Sequence, residues 1–134
     1  VPDNHRATVV DAIARIRAEF PEAVIVLMSV QDMSSRERKA TPASDYALLM
    51  RRIAQEQGCV FWDWYRIAGG PDSMDRWLAA GLAQPDRIHL TIRGYRLRGE
   101  LLAQALLRAF GPVNGLPGAA FGQVPPARPG WMRD

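Results

Sequence analysis

The sequence predicts an α/β protein built on a parallel sheet. Three observations carry this. Two short apolar runs, 23–30 and 59–63, are separated by a helical pattern. A long amphipathic segment, 93–110, follows them. Gly and Pro punctuate the chain between these elements.

The elements follow in order. Val9, Ile13 and Ile16 recur at helical spacing, Phe20 continues the stripe, and Pro21 ends it, so 4–19 is expected to be a helix. Residues 23–30, Ala-Val-Ile-Val-Leu-Met-Ser-Val, are apolar without alternation, as in a strand buried on both faces. Residues 31–41 are polar and form a loop. Thr41-Pro42 resembles a helix start, and the helix runs to about Gln57 with Gly58 as its stop. Residues 59–63 are a second strand, and Gly69-Gly70-Pro71 breaks the chain. A short helix is expected over 73–80 and a loop over 81–91. The terminal helix, 93–110, carries Leu97, Leu101, Leu102, Ala105 and Leu106 on its apolar side. Residues 1–111 thus form one domain, and 112–134 a Pro/Gly-rich tail whose Phe121 and Trp131 are expected to dock partially.

Two parallel strands cannot cover both of their faces and both of their edges. Further strands are therefore expected from polypeptide outside this sequence, either a preceding segment or a partner chain. The first residues, Val1-Pro2-Asp3-Asn4, lack an initiator Met and a signal-peptide pattern, and fit the interior of a longer or processed chain.

Composition narrows the function. The formal charge of +3 comes almost wholly from arginines that alternate with acids over several helices, and Lys39 is the one lysine. Nucleic-acid binding would need those charges gathered on one face with aromatics between them. No apolar run of membrane-spanning length occurs. The single cysteine, Cys59, forbids an internal disulfide and a cysteine metal site, and reads as a small apolar side chain. His5 and His89, with scattered acids, show no metal-ligand spacing, so neither metal nor cofactor is expected.

The chemistry concentrates in Pro85-Asp86-Arg87-Ile88-His89-Leu90-Thr91-Ile92-Arg93-Gly94-Tyr95. An Asp three residues before a His, in a loop leading into the last helix, puts both side chains at one end of the sheet, where α/β folds place active sites. Such a pair suits a serine triad. The His accepts the hydroxyl proton and returns it to the leaving group, while the Asp holds the imidazole in the useful tautomer. The spacing alone equally describes a capping Asp beside a surface His.

The wider block, Asp-x-Ile-His-Leu-Thr-x-x-Gly-Tyr before an amphipathic helix, resembles the last block of SGNH/GDSL hydrolases. Phe61-Trp62-Asp63-Trp64-Tyr65, Gly69-Gly70-Pro71-Asp72-Ser73-Met74 with Trp77, and Ala80-Gly81-Leu82-Ala83-Gln84-Pro85-Asp86 look like a bacterial subgroup that includes lipolytic enzymes and glycan O-acetylesterases. The resemblance covers roughly residues 4–110. It implies the C-terminal part of a three-layer α/β/α, flavodoxin-like parallel sheet, with Asp86 and His89 as triad members. It further implies an acylated carbohydrate or other small ester as substrate, and a periplasmic or secreted location. The family's Gly-Asp-Ser nucleophile block, its second-block Gly and its Gly-x-Asn block have no counterpart here, so the missing part corresponds to the first three strands. Ser34 and Ser35 lie in the loop after the first strand, but a nucleophile needs a strained elbow and nearby donors, and that loop is better suited to lining a cleft. Gln31, Asp32 and Trp62 are the expected substrate-binding residues. Trp62 and Trp64 also suit core packing, as do Met74 and Trp77. The alternatives are a non-catalytic binding or assembly module on the same scaffold, and an inactive pseudo-esterase fragment that pairs with a partner chain or swaps elements with itself to cover its sheet edges.

Overall fold

The computed structural model describes residues 3–33 and 42–111. The 112–134 tail and the pair Ser34–Ser35 lie outside the described residues. The element order is α1 (Asp3–Glu19), β1 (Val26–Met28), α2 (Ala43–Gln57), β2 (Val60–Trp62), α3 (Trp64–Ile67), α4 (Ser73–Ala79) and α5 (Ile92–Phe110).

β1 and β2 are parallel, with Val26 opposite Val60, Leu27 opposite Phe61 and Met28 opposite Trp62. The pleat sends alternate side chains to opposite faces. Ile25, Leu27, Cys59 and Phe61 pack beneath α1 and α2 around Ile13, Met50 and Ile53. Val26, Met28 and Trp62 face the other way, onto Trp64, Trp77, Leu97 and Leu101 of α3, α4 and α5. The result is a helix–sheet–helix sandwich in which the two apolar clusters lie on opposite faces of the sheet.

The expected eight-residue strand is only three residues long as a paired strand. A parallel ladder exists only where a partner exists, and β2 is short. The pairing extends one bond past each end of β1, from Val60 N–H to Ile25 O at 2.9 Å and from Ser29 N–H to Trp62 O at 3.3 Å. Val26, Leu27 and Met28 are half-buried rather than buried, because among the described residues β1 pairs on one edge only. The first helix shows the same incompleteness. Val9 and Ile13 pack against α2, but Ile16 and Phe20 on the same stripe are exposed, as is Val24 ahead of β1.

α2 stops where the sequence predicts. Gly58 takes the left-handed conformation (φ 61°), and the Cys59 N–H closes back on Ala54 O at 2.8 Å. These are the features of a glycine-terminated helix end. α3 was not legible in the sequence, since four residues are too few for a period. Asp63 starts it by accepting the Arg66 N–H at 3.2 Å. Below it, Trp64 stacks on Trp62 (5.2 Å, 19° between planes) and meets Trp77 edge-on at 5.4 Å. The Trp77 indole N–H donates to Ala68 O at 2.8 Å. The three rings form a stiff block under the end of β2.

Candidate active site

The predicted loop, 81–91, is a closed lasso. Its neck is an antiparallel bridge between Ala83 and Leu90. Gln84 N–H donates to His89 O at 2.8 Å, and Thr91 N–H to Leu82 O at 3.0 Å. Thr91 then starts α5, one residue earlier than the periodicity predicts. Its hydroxyl accepts the Gly94 N–H at 3.2 Å and donates to Gly81 O at 3.0 Å. At the tip Arg87 adopts a left-handed φ of 55°, unusual outside glycine, and its guanidinium pairs with Asp75 on α4.

Asp86 divides its carboxylate between two tasks. Oδ1 accepts the backbone N–H groups of Ile88 and His89, each at 3.0 Å, which closes a local turn. Oδ2 lies 2.6 Å from Nδ1 of His89. The two meanings of Asp-x-x-His, a capping carboxylate and a histidine partner, thus coexist in one side chain. The His89 ring bond, and after it the two N–H groups, hold the Asp86 carboxyl down at about 2. An ionised carboxylate can only accept, so Nδ1 carries a proton, and in the neutral ring the lone pair sits on Nε2. The imidazole is 64% exposed, and among the described residues Nε2 has no hydrogen-bond partner.

Gln31 and Asp32 follow β1 on the same end of the sheet. Gln31 reaches two groups at once: its Oε1 accepts the Trp64 indole N–H at 3.0 Å, and its Nε2 donates to Ile88 O at 3.0 Å. Asp32 Oδ2 accepts the Asp72 N–H at 2.8 Å and so holds the Gly-Gly-Pro-Asp turn. Trp62, expected on a cleft wall, lies in the core instead. It is 6% exposed with its ring against Trp64, because the register opposite Met28 points it into the α5 layer.

Among the described residues no serine hydroxyl is hydrogen-bonded to His89. Ser29 is buried, donates to Asp63 Oδ1 at 3.3 Å and accepts the Tyr65 N–H at 2.8 Å. Ser73 is fully buried, with no partner for its hydroxyl among the described residues, and Ser44 lies beside Tyr65. A cleft of about 380 Å³ opens between α2 and the Gly69–Pro71 turn, walled by Leu48, Arg51, Tyr65 and Pro71, and neither Asp86 nor His89 lines it. Burial, and then the negative charge of Asp32, raise the pKa of Tyr65 beside it. Among the described residues no group of His, Cys, Asp and Glu side chains could hold a metal ion, and no helix is long and apolar enough to cross a membrane.

Sequence reasoning missed the braces of this site: Gln84 at the lasso neck, the Asp75–Arg87 pair, and Gly94. The Thr-x-x-Gly spacing at the head of α5 was the signal available for the last.

The architecture is part of an SGNH-type α/β/α fold. A solved structure of a peptidoglycan O-acetylesterase is similar to this chain, with a TM-score of 0.70 and 27% identity over 79% of this chain. That likeness is to an ester hydrolase, and this chain spans about a third (32%) of its length. No protein-family model and no curated protein matches the sequence.

Proposed function

We propose that this chain carries the acid–base half of an SGNH-type serine ester hydrolase. The single observation behind this is Asp86 held 2.6 Å from Nδ1 of an exposed His89, with Nε2 open at the end of the sheet. His89 acts as general base: Nε2 takes the proton of a serine hydroxyl as the oxygen attacks the ester carbonyl. It then protonates the leaving alcohol, while Asp86 stabilises the imidazolium formed in between. Water repeats the sequence to release the acid.

The serine and the oxyanion donors come from polypeptide outside this sequence that adds to the sheet beside β1. Three features among the described residues support this: the one-sided pairing of β1, the buried Trp62 indole N–H that has no acceptor, and the half-buried Arg98 guanidinium, whose pKa burial lowers. Among the described residues Arg98 meets only the Met28 sulfur and the face of Trp64, with no carboxylate. A buried donor without an acceptor, as at Trp62, and a half-buried guanidinium without a carboxylate are both costly, and they favour a further covering layer. The substrate is a small acyl ester, an acetyl group on a bacterial glycan, acted on in the periplasm or outside the cell. The likeness to a peptidoglycan O-acetylesterase supports that class.

Hydrolysis of p-nitrophenyl acetate tests the assignment. This chain alone is expected to give no turnover above background. Together with the serine-bearing polypeptide it is expected to turn over, and H89A or D86A to abolish the rate. Full activity of H89A would remove the basis for the assignment.

A further inference from the structure

We infer that Gln31 is a positioning residue for His89, not a substrate contact: its carboxamide locks the peptide group that carries the imidazole onto the tryptophan block. This rests on His89 being the general base.

The Ile88–His89 peptide group is held at both polar ends. Its N–H donates to Asp86 Oδ1 at 3.0 Å, and its C=O accepts from Gln31 Nε2 at 3.0 Å. The next carbonyl, His89 O, accepts from Gln84 N–H at 2.8 Å. The backbone on either side of the His89 Cα is therefore fixed, and Asp86 Oδ2 fixes the ring. Of these anchors, Asp86 and Gln84 belong to the lasso itself and move with it. Gln31 is different, because it comes from the end of β1, and its other end is bonded to Trp64, which is fully buried between Trp62 and Trp77. It references the lasso to the rigid core.

The residue type follows from the neighbours. An indole N–H can only donate and a peptide carbonyl can only accept. The group between them must accept at one end and donate at the other, which a carboxamide does, and this also fixes its orientation. A glutamate would set a carboxylate oxygen against the Ile88 carbonyl. A methionine of similar length would bond neither partner. With both of its polar atoms engaged, Gln31 has its reach spent inside the chain.

The test uses the esterase assembled with its serine-bearing polypeptide. Q31E and Q31M are compared with W64F, H89A and the parent, and Q31E retains the volume should Q31M fail to fold. We expect kcat for p-nitrophenyl acetate to fall about 10²-fold in Q31E and Q31M, the scale of an ångström-level misplacement. KM should stay near the parent value, as for a residue that does not bind substrate. The Nδ1–H resonance of His89 should exchange faster with solvent. W64F removes the indole N–H that Gln31 accepts and also thins the tryptophan stack, so the part of its effect that passes through Gln31 is read from the W64F/Q31M double variant, whose kcat loss should fall short of the product of the two single losses. A raised KM with unchanged kcat would make Gln31 a substrate contact, and parent-like kinetics in Q31E and Q31M with H89A dead would remove its role. An active H89A would instead overturn the underlying assignment of the base.

Discussion

The carbonyl oxygen of Leu82 stands 2.0 Å from where a Cβ on Gly94 would lie. That carbonyl is also the acceptor for Thr91 N–H. The first turn of α5 and the start of the lasso are therefore pressed backbone to backbone, and only glycine fits between them.

Gly94→Ala should push Leu82 away and open the lasso neck. Backbone cannot yield as a side chain can, so the expected cost is about 2–3 kcal/mol, at the upper end for overpacking. Urea unfolding measures it, and unchanged stability would show that the loop gives way freely.

Asp86→Asn keeps the shape but lets the neutral side chain bond either tautomer. In the serine-bearing esterase we expect a loss of about 10³–10⁴-fold in kcat, as when a triad Asp is neutralised. Nitrogen NMR of the His89 ring should show the Nδ1-protonated form losing its dominance. A ring that keeps its tautomer would detach Asp86 from the role.

Acid should dissolve the turn over a defined window. The folded Asp86 carboxyl titrates at about 2, below its ordinary 3.8, so its contribution is present above the ordinary value and is lost as pH falls through the folded one. Carbon NMR of the Asp86 carboxyl should titrate in that low window. Any inflection of activity in the ordinary carboxylate range must then come from another group.

Trp77→Phe keeps a ring against Trp64 but leaves the Ala68 carbonyl without its donor. A loss of about 1–3 kcal/mol is expected, as for an orphaned buried acceptor. Thermal unfolding followed by circular dichroism decides it.

The side of β1 that is unpaired among the described residues should make this chain self-associate on its own, since an open apolar strand invites pairing. Val24, 61% exposed, stands at its approach. Val24→Lys should shift light-scattering mass toward the monomer, and an unchanged mass would place the association elsewhere.

How much was readable depended on whether the cause was local. The Gly58 stop, the apolar side of α5 and the closeness of Asp86 to His89 arise within a few residues, and the sequence shows them. The α/β class followed from alternation of the two apolar runs with helical segments. Trp62 was ambiguous because cleft and core differ only in which way the pleat points, and that was set by register against Met28. Gln31 reads in the sequence as a substrate-binding residue of the loop after the first strand. Its partners lie 33 and 57 residues away, and no spacing in the sequence reports such bonds. Ile16 and Phe20 continue the stripe of Val9 and Ile13 yet are exposed, so their burial depends on neighbours rather than on the stripe itself.

The near-parallel indoles of Trp62 and Trp64 couple their electronic transitions, so they should give a paired circular-dichroism band that neither ring gives alone. One of those chromophores is tethered through Gln31 to the peptide beside the imidazole. The protein therefore holds its own optical gauge: a tilt of the Trp64 plane caused by slippage at the histidine would change that band without any added label.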